Sequence, residues 1–233
     1  MTWSDEYREI VEFYFWEPQH LRRPDRPWPG AGTQADQMWE HVSGIEVATN
    51  HVLNLYLAMV PFSMLNDGWV PDEPYDIVPS EQLRLLISAQ GEFTQPDLYF
   101  RAPQRDLAIE LKTRSRSSLR QLQKYTCFQA LLAPTTPLTL LYLTPWPDEN
   151  IFEEGLPLTD VVARLPDLPL PLSRPGLPKA HTEVMRHLDV RTLSWAVFTD
   201  RVEELARTES HPVARRVHEG LVTWLRQRWA PQR

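Results

Sequence analysis

Asp97, Glu110 and Lys112 are the residues of this chain whose types and spacing point to chemistry. Two carboxylates and an amine brought to one point make a seat for a hard divalent cation. Such cations take oxygen ligands and are often held by one or two carboxylates plus a substrate phosphate. An ammonium beside them orients an attacking water or steadies a charged phosphate. A hairpin would bring the three together. Residues 97–101 and 106–112 alternate in polarity and flank the turn-like Ala102-Pro103-Gln104-Arg105, so they read as paired strands. Asp106, Ala108, Glu110 and Lys112 then share one face, and Leu107, Ile109 and Leu111 the other. The register that pairs side chains best sets Arg101 against Asp106 and Tyr99 against Ala108. It also sets Phe100 and Leu98 against Leu107 and Ile109. Every pair is then opposite in charge, large on small, or apolar on apolar, except Asp97 against Glu110. At about 5 Å and an effective dielectric of about 20, that repulsion costs about 3 kcal/mol. A cation between the oxygens, Mg²⁺ or Mn²⁺, is the simplest relief. The same residues also read as a surface salt-bridge cluster in which Lys112 merely neutralises the two acids.

The elements that must position these residues follow from periodicity. Residues 37–59 give the strongest helix signal: Val42, Ile45, Val52, Leu53, Tyr56 and Leu57 recur at helical spacing, and Pro61 ends the pattern. Glu46 lies one residue off that stripe. Residues 82–88 read as a first core strand. After the hairpin, Ser117 or Ser118 caps a helix running to about Ala133. Leu119, Leu122, Thr126, Ala130 and Ala133 face one side of it, and Gln121 and Tyr125, four apart, share an outer flank. Pro134 and Pro137 stop this helix. Residues 138–144 form a near-continuous apolar run, as expected of a strand buried on both faces and reached by a helical crossover.

Pro96-Asp97 followed by Glu110-Leu111-Lys112 resembles the PD-(D/E)xK nuclease superfamily, and Gln121-x-x-x-Tyr125 on the next helix is similar to the motif of its RecB-like branch. The resemblance covers about residues 38–144. It implies an α/β protein with the restriction-endonuclease-like αβββαβ core, a mixed central sheet flanked by helices. It further implies that Asp97, Glu110 and the backbone carbonyl of Leu111 hold Mg²⁺ or Mn²⁺, with Glu46 as an acid from the preceding helix. Lys112 would assist the nucleophilic water. Gln121 and Tyr125 would approach the substrate near the cleaved phosphate. The histidine that some RecB-like members carry ahead of the acids has no clear counterpart. The implied activity is hydrolysis of nucleic-acid phosphodiester bonds, DNA ahead of RNA, in repair or defence. The alternative is a catalytically inactive copy of the fold that binds nucleic acid or a protein partner through its aromatic and proline-rich flanks.

Composition bounds these readings. A chain of 233 residues with 42% hydrophobic content buries a large core and excludes general disorder. The chain shows neither a long apolar run nor a charged-then-apolar leader, which predicts no membrane association and a cytoplasmic location. The sole cysteine, Cys127, excludes an internal disulfide and cysteine-rich zinc sites. Phosphate-cradling glycine motifs and a G-x-S-x-G elbow are absent. The formal charge of −7 argues against a protein that coats nucleic acid. Locally the balance reverses: Arg101, Arg105, Lys112, Arg114, Arg116, Arg120 and Lys124 face only Asp106 and Glu110. Arg114, Arg116 and Arg120 are the candidates for contact with a phosphate backbone. A solvated helix flank is the commoner account of any one arginine, and the position of Arg114 and Arg116 just after the strand favours substrate contact.

Three segments result. Residues 1–36 hold a short helix over 2–16 and a proline-glycine strap. Residues 37–144 form the core. Residues 145–233 are expected to be irregular through 145–178 apart from one short helix near 158–165. A strand over 192–198 follows, then a helix carrying Val202 and Leu205. A last helix over 212–229 has Val213, Val217, Leu221, Trp224 and Leu225 on its apolar side.

Overall fold

The hairpin forms in the register that side-chain pairing selects. Strand β1 (Asp76–Ile77) runs antiparallel to β2 (Leu98–Arg101), which runs antiparallel to β3 (Asp106–Leu111). Leu98 faces Ile109, Tyr99 faces Ala108 and Phe100 faces Leu107. The ladder continued by one residue at each end sets Arg101 against Asp106 and Asp97 against Glu110. The computed structural model describes residues 46–60, 76–78, 96–113, 115–146, 151–171 and 174–229. The strand expected over 82–88 and the helix expected over 2–16 lie outside them.

Helix α2 (Leu119–Leu132) then crosses to β4 (Leu138–Thr144), which pairs parallel to β3 with Ala108 beside Leu140 and Glu110 beside Tyr142. All seven residues of β4 are buried, as a two-sided apolar strand requires. Helix α3 (Leu158–Arg164) and α4 (Leu177–Arg186) precede β5 (Leu188–Ser194), which adds parallel to β4. The described sheet is therefore mixed and five-stranded, in sequence order. Its β5 edge alternates half-buried residues with the charged pair Asp189 and Arg191, which discourages further strand addition. Helices α5 (Trp195–Thr208) and α6 (Pro212–Trp229) pack on each other after it.

Two expectations for the C-terminal segment are corrected. The strand expected over 192–198 lies at Leu188–Ser194 instead, because Ser194 caps α5 by accepting the Val197 N–H at 3.1 Å. A capping serine outweighs the strand propensity of the aromatic and β-branched run behind it. The expected irregular stretch contains α3 where it was read, and its last residues enter the unexpected α4. There Pro178 lies in the first helical turn, where its missing N–H costs nothing, behind Gly176 at φ +82°. In α6, Leu221, Trp224 and Leu225 are buried as read, whereas Val213 is 63% exposed.

One face of the sheet carries Tyr99, Ala108, Leu140 and Tyr142, and α2 covers it with Leu122, Tyr125 and Phe128. Tyr99 and Phe128 meet edge-to-face at 5.6 Å. Outside α2 lies α4, through Ala130, Leu177 and Val184. Helix α2 is thus covered on two sides, which is why its residues from Leu122 to Ala130 are buried almost without interruption. Cys127 lies among them, its thiol pushed up to about 12 by burial. The chain divides into two units, Met1–Pro61 and Phe62–Arg233. Of the first, α1 (Glu46–Met59) is described, with Leu53, Tyr56 and Leu57 buried. Among the described residues no helix is long and apolar enough to cross a membrane.

Between α2 and α4, the Oγ1 of Thr126 donates to the Gln123 carbonyl and contacts His181 Nε2 at 2.9 Å. One hydroxyl has one hydrogen, so the imidazole is the donor at Nε2. Burial holds His181 below its ordinary 6.5. The unfolded chain therefore takes up a proton that the folded chain resists, and stability falls as pH drops through about 6.5. Tm is expected to fall between pH 7 and pH 5, and His181→Gln to flatten that slope. Equal slopes for both proteins would rule out His181 as the sensor.

Candidate functional site

A match of pitch between β3 and α2 builds the site. Asp106 and Glu110 are separated by four strand residues, about 13 Å. Gln121 and Gln129 are separated by eight helical residues, about 12 Å. Because α2 runs back over β3, Gln129 meets Asp106 and Gln121 meets Glu110. At the first end, Asp106 Oδ2 accepts from Gln129 Nε2 at 2.9 Å and lies 2.6 Å from the Tyr99 hydroxyl. Gln129 Nε2 also reaches the Ala133 and Thr136 carbonyls, so this end fastens the helix terminus.

The second end gathers the residues singled out from the sequence. Glu110 Oε1 accepts from Lys112 Nζ at 2.8 Å and from Gln121 Nε2 at 2.9 Å, and Oε2 accepts from the Tyr125 hydroxyl at 2.5 Å. Lys112 Nζ also donates to Gln121 Oε1 at 3.2 Å. Asp97, half-buried, accepts the Leu111 N–H through Oδ2 at 2.7 Å. Glu110 is 5% exposed and Lys112 4%. The Lys112 backbone is held from both sides. Its N–H donates to the Leu143 carbonyl at 2.8 Å, and its own carbonyl accepts the Trp195 indole N–H at 2.8 Å. Burial, then the Glu110 charge with a smaller part from Asp97, pushes the Tyr125 hydroxyl far above its usual range. Tyr125 therefore keeps its proton and stays a donor.

This geometry corrects one step of the sequence argument. The repulsion between Asp97 and Glu110 does not need a cation for relief. Among the described residues Leu111, Lys112, Gln121 and Tyr125 donate to the two carboxylates, and hydrogen bonds to charged groups each contribute about 1.5–3 kcal/mol. Gln121 and Tyr125 do not lie on an outer flank either. With Gln129 they form an inward polar stripe on α2.

The other candidates fall elsewhere. Arg120 Nη1 donates to Gln123 Oε1 at 2.9 Å and to the Pro169 carbonyl at 3.0 Å, so it ties the segment after α3 to α2 instead of facing the acids. Arg116 is exposed next to the site. Arg114 and the side chain of Glu46 lie outside the described residues. Sequence reasoning missed Ser117 and Tyr142. Ser117 Oγ lies 3.0 Å from Gln121 Oε1 and 3.3 Å from the Tyr142 hydroxyl, and both residues are fully buried. The available signal was the serine pair: Ser118 takes the cap by accepting the Gln121 N–H at 3.1 Å, which leaves Ser117 for another task.

The donor set suits a hard cation in kind, since the carboxylates of Asp97 and Glu110 are oxygen ligands. Two carboxylate oxygens offer about four acceptor positions, and three donors use three of those of Glu110, leaving one. Among the described residues no three His, Cys, Asp or Glu side chains group to hold a metal. A cation here would rest on two acids, with water and substrate phosphate completing its shell. Comparison with family models, curated proteins and solved structures finds no match for the chain.

Proposed function

We propose that this chain is a metal-dependent nuclease of the PD-(D/E)xK, restriction-endonuclease-like kind, cutting nucleic-acid phosphodiester bonds and DNA ahead of RNA. The observation that favours it most is the meeting of Glu110, Lys112, Gln121 and Tyr125 in one hydrogen-bonded cluster, with Asp97 bonded to the next residue of the same strand. The sequence of an antiparallel strand pair, a crossover helix and a parallel strand agrees with the αβββαβ order. When bound, Mg²⁺ or Mn²⁺ would supply charge that polarises the phosphate and acidifies water. Asp97, Glu110 and the Leu111 carbonyl are the oxygens that would hold it. Gln121 and Tyr125 hold the Glu110 carboxylate in one orientation. Lys112 uses two of its three N–H donors on Glu110 and Gln121. The third has no partner among the described residues and would serve the attacking water or a phosphate oxygen. Arg114 and Arg116 follow directly in the chain and would meet the strand backbone.

A second reading has its own observation. Glu110 and Lys112 neutralise each other under burial without any cation, which suits a catalytically idle copy that binds nucleic acid or a partner. One assay separates the two. Plasmid, linear single-stranded DNA and RNA are incubated with Mg²⁺, with Mn²⁺ and with EDTA. Cleavage that needs the metal and is faster on DNA is the expected result. Nucleic acid bound but intact under every condition, with no Mn²⁺ uptake by calorimetry, would leave the idle reading standing alone.

A further inference from the structure

Counting hydrogens around Gln121 gives the cluster a direction. The Gln121 amide nitrogen lies 2.9 Å from Glu110 Oε1, an acceptor only, so this atom is the N–H donor and the other is the carbonyl oxygen. That oxygen faces Lys112 Nζ, which can only donate, and Ser117 Oγ. Ser117 therefore spends its single hydrogen on Gln121. Its contact with Tyr142, in which either hydroxyl could donate, is settled by the same count: Tyr142 donates to Ser117. At the other end, the Tyr125 hydroxyl accepts from Gln121 Nε2 at 2.7 Å and donates to Glu110 Oε2. One line of donation runs from Tyr142 through Ser117 to the Gln121 oxygen. From the Gln121 nitrogen it runs directly, and by way of Tyr125, to the Glu110 carboxylate.

We propose that Ser117 and Tyr142 are positioning residues: they fix the Gln121 amide so that its oxygen receives the Lys112 ammonium and its nitrogen grips Glu110. Without the Ser117 hydrogen the amide loses one of the two donors that distinguish its ends. An inverted amide would set N–H against the ammonium and oxygen against the carboxylate. Ser117 is well placed for the task. Its N–H donates to the Ile151 carbonyl and its own carbonyl accepts the Glu153 N–H, so its backbone cannot drift. Tyr142 is seated by its register beside Glu110 and by edge-to-face packing on Phe152 at 5.4 Å.

The catalytic consequence rests on the nuclease reading; the orientation of the amide does not. Two readouts therefore accompany each variant. The first is exchange protection of the Gln121 side-chain NH₂ by NMR. The second is steady-state cleavage. Ser117→Ala is expected to lose that protection and to lower kcat about 10–100-fold with KM unchanged, the range for partners that orient a site's ligands. Ser117→Thr, which keeps the hydroxyl, is expected to retain both. Tyr142→Phe removes the donor that aims the Ser117 hydrogen at Gln121 and is expected to lose part of the NH₂ protection, less than Ser117→Ala loses. If Ser117→Ala does not fold, Ser117→Cys, a much weaker donor of similar size, is expected to show a partial loss of protection. Unchanged NH₂ protection in Ser117→Ala, or in Ser117→Cys as its substitute, would overturn the proposal whether or not the chain cleaves DNA. Wild-type protein that cleaves nothing would remove the nuclease reading and leave the NMR comparison decisive for the amide.

Discussion

Lys112→Met is expected to lower the unfolding free energy by about 3–5 kcal/mol, the cost of stripping one partner from a buried ion pair. The Glu110 carboxylate, 5% exposed, would keep the neutral donors Gln121 and Tyr125 and lose the one cation bonded to it among the described residues. Water cannot replace that cation without opening the contact between α2 and β3. Removing both charges together is a different case. Glu110→Gln with Lys112→Met restores neutrality, and isosteric replacement of a whole buried pair is often neutral or even stabilising. The double variant is therefore expected to be more stable than Lys112→Met alone, with a coupling of about 2–3 kcal/mol in the double-mutant cycle. Urea unfolding with linear extrapolation measures each corner. A cost below about 1 kcal/mol for Lys112→Met would mean that the pair behaves as an exposed salt bridge in solution.

This expectation revises the most obvious mutational test of the site. From the sequence alone, Glu110→Ala and Lys112→Ala look like variants that remove chemistry and spare the fold, because both residues sit on the polar face of an alternating strand. What the alternation could not reveal is that the polar face of β3 is covered. All six residues of β3 are buried, Asp106 and Glu110 included. The cover is α2, whose inward stripe is Gln121, Tyr125 and Gln129. Glutamine reads as a surface residue in any hydropathy pattern, so the helix was oriented from its leucines and alanines. Those residues serve two partners at once, the sheet through Leu122 and α4 through Ala130. A helix covered on two sides has no single apolar stripe to read. The hairpin register was legible for the opposite reason. Each of its pairs is decided by local charge or size, and slipping it by one residue would turn every side chain to the wrong face. Among the boundaries, Ser194 misled because a capping serine and a strand-ending serine look alike until the Val197 N–H is seen on its hydroxyl. Asp97 and Glu110 were found by their type, whereas Ser117 and Tyr142 became visible only when α2 and β4 brought them to the same glutamine.

Asp97→Asn is therefore the variant that separates catalysis from folding, and it is expected to lower metal-dependent cleavage at least about a hundredfold. Asp97 differs from Glu110 in three respects. It is half-buried, it precedes β2 instead of lying within a covered strand, and the Leu111 N–H bonded to its Oδ2 is neutral. Asparagine keeps the size and an oxygen that can accept that N–H at the same position. That hydrogen bond goes from a charged acceptor to a neutral one, so it accounts for about 1–1.5 kcal/mol of stability cost, the difference between the two kinds. The effect on chemistry is far larger. A carboxylate in a cation seat supports several kcal/mol of transition-state charge stabilisation, and each 1.4 kcal/mol is a factor of ten in rate. Single-turnover cleavage at saturating Mg²⁺, measured beside urea unfolding of the same preparation, gives both numbers. A rate within threefold of wild type in a folded Asp97→Asn protein would remove Asp97 from the cation seat. With only Glu110 then left among the described carboxylates proposed to hold the metal, the nuclease reading would give way to the idle fold. A folded variant that has lost its cleavage and its Mn²⁺ uptake together would tie both to the acid that faces Glu110 across the hairpin.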